Sequence, residues 1–250
     1  TTLIKSTRLC KTWNSDMLGL NILINLVLPP RCIKCGKILS HNNGLCSDCF
    51  NKIQFISEPY CACCGRPFLN ESGLTLGKKQ LCAQCLKQKH HLFVMQRSAF
   101  IYNDESKDLI LDFKFKDKTS SAETLANLLF AAGRDIWKEK PDLLLPVPIH
   151  QLRLLQRRYN QSALLVKYLS EKSNVSADYF SLIRHQNTIP QVQLSREARR
   201  RNLKKAFSVN NCQNLAGKNV VLIDDVETTG STLGECAKVL KTAGVNKIYA

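Results

Sequence analysis

Val220-Val221-Leu222-Ile223-Asp224-Asp225-Val226-Glu227-Thr228-Thr229-Gly230-Ser231-Thr232 reads as a buried strand that ends in two acids and runs through a hydroxyl-rich loop into a helix. Four consecutive apolar residues mark a strand covered on both faces, as in a parallel sheet. Backbone N–H groups of Thr228 to Thr232 can converge on a phosphate at the helix N-terminus, and Gly230 permits close approach. The Thr and Ser hydroxyls add donors. Asp224 and Asp225, at the carboxyl end of the strand, are placed to accept hydrogen bonds from sugar hydroxyls. A ligand with a phosphate beside a ribose suits this layout. An ordinary helix N-cap after an acidic strand end explains a few of these residues, not the whole run in register.

Upstream, strand-like and helix-like stretches alternate. Residues 97–102 read as a strand, 106–115 and 121–138 as helices, and Leu143 to Pro148 as a buried strand ended by prolines. Residues 161–172 come next as a helix and 206–209 as a short strand. After the strand 219–223 come a helix over 231–243 and a strand over 245–249. This alternation predicts an α/β domain with a parallel sheet over residues 93–250. At the other end, Leu18, Ile22, Leu26 and Val27 recur at helical spacing before Pro29-Pro30, which predicts a helical segment within 1–30.

Residues 31–90 differ in kind. Nine of the twelve cysteines fall between Cys32 and Cys85, among loop-like sequence with too few apolar side chains for a core of its own. Cys32-x-x-Cys35 and Cys46-x-x-Cys49 can supply four thiolates to one tetrahedral ion. Cys61, Cys64, Cys82 and Cys85 repeat the scheme with a longer insert. Four thiolates suit structural Zn²⁺ with no open position, one or two ions in all. Interleaved pairing or a single occupied site stays open. Cys63, His90 or His91 can substitute for a neighbour, although surface histidines are the simpler assumption. A thioredoxin-like redox role fits a lone C-x-x-C but not four pairs together. Cys10, Cys212 and Cys236 have no such context and read as ordinary thiols.

The 250-residue chain carries a formal net charge of +16 and 44% hydrophobic residues. That composition excludes wholesale disorder and predicts attraction to polyanions, nucleic acid or phosphorylated ligands. Basic side chains concentrate at Arg184, Arg196, Arg199, Arg200, Arg201, Lys204 and Lys205 against one acid, Glu197. Such a segment can clamp pyrophosphate, bind nucleic acid or form a solvated helix face. Met17 to Pro30 is too short and too polar to span a bilayer and has no small-residue cleavage site. The expectation is a cytoplasmic protein without membrane insertion. Thr1 in place of Met leaves room for a longer native amino terminus, and the last predicted strand for a short native tail.

The 220–232 run resembles the type I phosphoribosyltransferase signature. The resemblance implies that Thr228, Thr229, Gly230, Ser231 and Thr232 hold the 5-phosphate of phosphoribosyl pyrophosphate (PRPP). It implies that Asp224 and Asp225 face the ribose hydroxyls, and that magnesium is carried with the pyrophosphate. Further segments narrow the likeness to the ComF family. They are Tyr102-Asn103, Phe113-Lys114-Phe115, Leu145-Pro146-Val147-Pro148, and Arg153 with Arg157-Arg158-Tyr159-Asn160-Gln161. Gln191, Leu194-Ser195-Arg196, Arg199 to Asn202 and Ala206-Phe207 continue the match. A double zinc ribbon ahead of the transferase-like domain is also that family's arrangement. Arg158 departs from it, standing where the family commonly has Gly.

This resemblance implies a type I phosphoribosyltransferase-like parallel sheet behind an amino-terminal Cys-rich double zinc ribbon. It implies a PRPP-binding protein that assists the handling or import of single-stranded DNA in natural transformation, alongside other DNA-uptake proteins. Arg153, Arg157, Arg196, Arg199 and Arg200 are the candidates for pyrophosphate or nucleic-acid contact. The alternative is an active phosphoribosyltransferase that displaces pyrophosphate from PRPP, although no nucleobase-specificity hood is recognisable and no catalytic residue is assigned. A PRPP-sensing transcriptional regulator ranks last, because no helix-turn-helix is evident.

Overall fold

A computed structural model describes residues 29–40, 44–68, 80–88, 90–115, 119–186 and 206–250. The helix expected within 1–30 lies outside these residues, as do Arg196, Arg199 and Arg200. The chain divides into two compact units at the Asn51–Lys52 junction. In the first, Arg31 bridges Ile38 and Cys32 bridges Gly44 around one cysteine knot, whose last cysteine, Cys49, lies on α1 (Ser47–Lys52). The second unit holds the other knot, with α2 (Ala83–Leu86), together with the α/β domain.

The domain contains α3 (Lys107–Phe115), α4 (Ser121–Ala132), α5 (Arg134–Lys138), β1 (Leu143–Pro146), α6 (Gln151–Arg157) and α7 (Gln161–Ser173). Next in the chain are β2 (Ser176–Ala177), β3 (Leu182–Arg184), β4 (Phe207–Val209), β5 (Asn219–Ile223), α8 (Ser231–Thr242) and β6 (Lys247–Tyr249). Four strands form a parallel sheet in the order β2-β1-β5-β6, with Leu143 to Pro146 in register with Val220 to Ile223. The continuous apolar runs have their expected cause: every residue of β1 and four of the five in β5 are buried. Beside the sheet, α8 buries Leu233, Cys236, Ala237 and Leu240, a helical stripe at spacings of three and four. Burying each such leucine contributes about 1.5–3 kcal/mol. Helices α4 and α7 pack on each other, and α7 packs on β1. β3 and β4 form a separate antiparallel pair, Leu182 opposite Val209 and Arg184 opposite Phe207.

Two expectations need correction. Residues 97–102 form no strand of the sheet. Residues 99–101 hydrogen-bond instead to residues 54–56, with Ile56 N–H donating to Ala99 O at 3.0 Å and Ile101 N–H to Gln54 O at 2.9 Å. The helix expected over 121–138 is two helices broken at Gly133. There Trp137 folds back so that its ring stacks on Phe130 (centroids 5.4 Å apart) and its Nε1–H donates to Phe130 O at 2.8 Å. A Cβ at position 133 would meet the Trp137 ring at 3.2 Å and Leu129 O at 3.3 Å, so a larger residue here would need the Trp137 ring to shift by a few tenths of an ångström.

Residues 94–97 bind the last strand. Met95 bridges Tyr249, Val94 N–H donates to Ile248 O (2.8 Å), and Arg97 N–H donates to Ala250 O (2.9 Å). Between them, Gln96 N–H donates to Cys63 O at 2.6 Å, which joins the second knot to the same segment.

Candidate functional site

Asp224 and Asp225 stand where β5 ends, and α8 begins six residues beyond Asp225 at Ser231. Gly230 is the N-cap, in the left-handed region at φ 69°, and supplies no side-chain bond to the helix start. A Cβ there would lie 3.0 Å from Glu227 Oε1 in a conformation that L-residues disfavour. The Thr229 and Ser231 hydroxyls meet at 2.7 Å, and Thr228 is exposed. The fold therefore brings the whole predicted loop to the carboxyl end of the parallel sheet, at the mouth of a helix long enough to carry a dipole.

The acids are held by residues far away in sequence. Ser162 Oγ donates to Asp224 Oδ1 (3.2 Å), and the N–H of Asp225 donates to the same oxygen (3.0 Å). Lys114 Nζ lies 3.2 Å from Asp225 Oδ1. Ser162 reaches this place because Asn160 caps α7, accepting from Ser162 N–H at 3.1 Å while donating to Val147 O at 3.0 Å. Lys114 is fixed by its neighbours: Tyr159 Oη donates to Phe113 O (2.6 Å), and Gln161 Nε2 donates to Lys114 O (3.1 Å). The Tyr159-Asn160-Gln161 run thus ties β1, α3 and the acidic pair together. Burial, and then the charge of Asp225, push the Asp224 carboxyl up to about 7, against the pull of Lys114.

Arg153 and Arg157 lie on α6, one turn apart, and Arg157 stacks over the Phe115 ring at 5.0 Å. Arg184, on β3, stacks over Phe207 at 5.4 Å. Burial and the neighbouring Arg153 lower Arg184 to about 10; burial and Arg157 lower Arg153. Asp224 acts on Arg184 in the opposite sense. Arg153, Arg157 and Arg184 act on one another as a cationic wall, and Arg184 also feels the Asp224 carboxylate. Arg158 closes α6 in the left-handed region at φ 65°, a conformation that suits the glycine of the family pattern. Beside the acids opens a cavity of about 120 Å³, with Phe100, Tyr102 and Phe113 on its apolar side.

Sequence reading did not identify Lys114 and Ser162 as site residues, and it placed Arg184 only within a basic run. Phe113-Lys114-Phe115 was visible as a motif. Its contact with Asp225 spans more than a hundred residues, and nothing local in the sequence signals it.

The cysteines assemble as expected into two tetrads, Cys32-Cys35-Cys46-Cys49 and Cys61-Cys64-Cys82-Cys85, without interleaving. Tetrahedral zinc with Zn–S bonds near 2.3 Å places sulfurs about 3.8 Å apart. Cys35 and Cys46 Sγ are 3.7 Å apart, as are Cys64 and Cys82 Sγ. The donor set and spacing fit zinc. The first cysteine of each tetrad also accepts a backbone N–H, from Cys46 to Cys32 Sγ (3.4 Å) and from Cys82 to Cys61 Sγ (3.3 Å). Burial opposes ionisation of Cys32 and Cys61, but the surrounding N–H groups prevail and lower both to about 6. Among the described residues no helix is long and apolar enough to cross a membrane.

Residues 23–86 match the double zinc ribbon domain family. The chain is 37% identical over 224 residues to competence protein F of Haemophilus influenzae, covering 87% of this chain and 93% of that protein. It is 33% identical over 224 residues to the DNA utilization protein YhgH of Escherichia coli O157:H7, covering 88% and 94%. A solved glutamine PRPP amidotransferase from B. subtilis aligns at 17% identity and a TM-score of 0.35, over 56% of this chain and 29% of that one. The two tetrads, the parallel α/β domain and relatedness to competence protein F over most of the chain together make this chain a member of the ComF family, with an amino-terminal double zinc ribbon.

Proposed function

We propose that the loop from Asp224 to Thr232 binds PRPP or a related phosphosugar, and that the protein serves the handling or import of single-stranded DNA in natural transformation. The observation that carries the ligand is the junction itself: a carboxylate pair at a strand end, then a left-handed glycine that caps a helix without a side-chain bond. The loop would take the 5-phosphate and the acids the ribose hydroxyls. Arg153, Arg157 and Arg184 would face pyrophosphate, with magnesium as its counter-ion. The DNA role rests on the net charge of +16 and on relatives named for competence and DNA utilization. A cytoplasmic location, and Arg196, Arg199 and Arg200 as further phosphate contacts, belong to this reading.

Calorimetry of PRPP with Mg²⁺ tests the ligand, with binding expected for the wild type and absent from Asp224→Ala/Asp225→Ala. Fluorescence anisotropy with single-stranded oligonucleotides tests the DNA role. Affinity should fall with salt by a slope of about 0.7 per phosphate contacted, and salt-insensitive or absent binding would refute that role. One observation favours the second reading, an active phosphoribosyltransferase. The cavity beside the acids, apolar on one side, can admit a flat acceptor. Pyrophosphate release from PRPP across a panel of nucleobases decides between binding and turnover.

A further inference from the structure

Cys63 is a fifth thiol at a four-thiol knot. It sits inside the knuckle between Cys61 and Cys64, yet it is not needed to complete the tetrad Cys61-Cys64-Cys82-Cys85. It is buried, and it packs in one cluster with Cys61 and Cys85. Its backbone is held by Gln96 N–H on its carbonyl, and Gln96 O lies so close to Gly65 that a Cβ there would collide. Cys63 Sγ lies 3.5 Å from His91 Nδ1. The donor atoms of Cys63, Cys85 and His91 all fall within 4.8 Å of one another.

We propose that Cys63, His91 and Cys85 form an auxiliary site for a second thiophilic divalent cation at this knot, with Cys85 as the bridging thiolate. A tetrahedral ion with Zn–S near 2.3 Å and Zn–N of 2.0–2.1 Å holds its sulfur and nitrogen about 3.6 Å apart. The observed 3.5 Å matches that edge. The charges also favour it. Four thiolates around one divalent ion leave a net negative charge in a partly buried setting, and a second cation offsets it. His91 is exposed, which gives the ion an entry path and leaves the fourth position to water. Cys63 gives up its thiol proton as it ligates, so binding of the ion releases a proton.

The same 3.5 Å also suits a plain thiol–imidazole hydrogen bond, and metal counting separates the two. The proposal rests on the tetrads holding zinc, so the experiment reads both. The full chain, reduced and kept anaerobic, is saturated with Zn²⁺, freed of loosely held metal and analysed for bound zinc, and in parallel titrated with Co²⁺ and followed by visible absorption. Three equivalents are expected in the wild type. Cys63→Ser and His91→Ala should each lose one and keep two, and should lose the last-filling Co²⁺ absorption component. Two equivalents in the wild type, or no loss in both variants, overturns the auxiliary site and leaves the tetrads intact. Fewer than two equivalents overturns the tetrads as well.

Discussion

Lys114 Nζ stands 3.2 Å from Asp225 Oδ1, with both side chains largely withdrawn from solvent (21% and 12% exposed). The pair fastens the end of α3 to the end of β5. Removing the cation leaves Asp225 poorly solvated and increases the repulsion on Asp224. Lys114→Met should therefore cost about 1–3 kcal/mol of stability at neutral pH. Denaturant unfolding of the two proteins at pH 7.5 checks this, and an unchanged midpoint would mean the pair is only a surface contact.

Asp224 makes stability depend on pH in an unusual sense for a carboxylate. Its folded pKa, about 7, lies above the ordinary value of 3.8, so between those limits the native state holds a proton that the unfolded chain has lost. Stability then falls as pH rises from about 4 to about 7. Asp224→Asn should flatten that slope and stabilise the protein at pH 8, by on the order of 1–3 kcal/mol. Thermal melts from pH 5 to 8 test the sign. Ligand affinity should move the opposite way in the wild type and improve as the carboxylate ionises, which calorimetry at both ends of the range would show.

The cationic wall predicts a trade between stability and binding. Arg153 and Arg184 repel each other and are partly desolvated. Arg153→Met should raise the melting temperature of the free protein by a few degrees and shrink the further rise on adding PRPP with Mg²⁺. Thermal shift with and without ligand measures both, and a variant that keeps the full ligand-induced rise would remove Arg153 from the site.

Arg158 occupies the left-handed region at φ 65° without being glycine. Arg158→Gly should relieve about 0.5–1 kcal/mol of backbone strain, offset in part by the added freedom of the unfolded chain. Equal or lower stability by denaturant titration would show that the arginine side chain compensates.

Much of this architecture could be read from residues close in sequence. The run 220–232 and the four cysteine pairs each encode their geometry locally, one through an apolar strand with a glycine-bearing loop and the other through knuckle spacing. Missed elements had no such signal. β2 is two residues long and has no period to detect. α6 comes after a proline-rich strand end and presents Leu152, Leu154 and Leu155 to solvent, so its apolar residues mark no buried face. Residues 97–102 looked like a strand because Ala99, Phe100, Ile101 and Tyr102 favour extended backbone. Their partner is residues 54–56, which composition could not reveal. The site itself was half visible. The acids and the candidate phosphate loop share one stretch, whereas Lys114, Ser162 and Arg184 come to the acids through tertiary packing.

The hydrogen bond from Gln96 N–H to Cys63 O reaches beyond the ribbon. β6 lies at one margin of the sheet, and residues 94–97 occupy the hydrogen-bonding groups it would otherwise present to solvent. A knot that loses its metal loosens Cys63, and with it the strip shielding Ile248 and Ala250. That loss bares a strand edge, the feature through which sheets join one another and aggregate. Zinc starvation would then show itself first as self-association of an otherwise folded α/β domain, visible by light scattering before the helical signal is lost. In that sense the ribbon is a safeguard of solubility for the sheet that carries the candidate site.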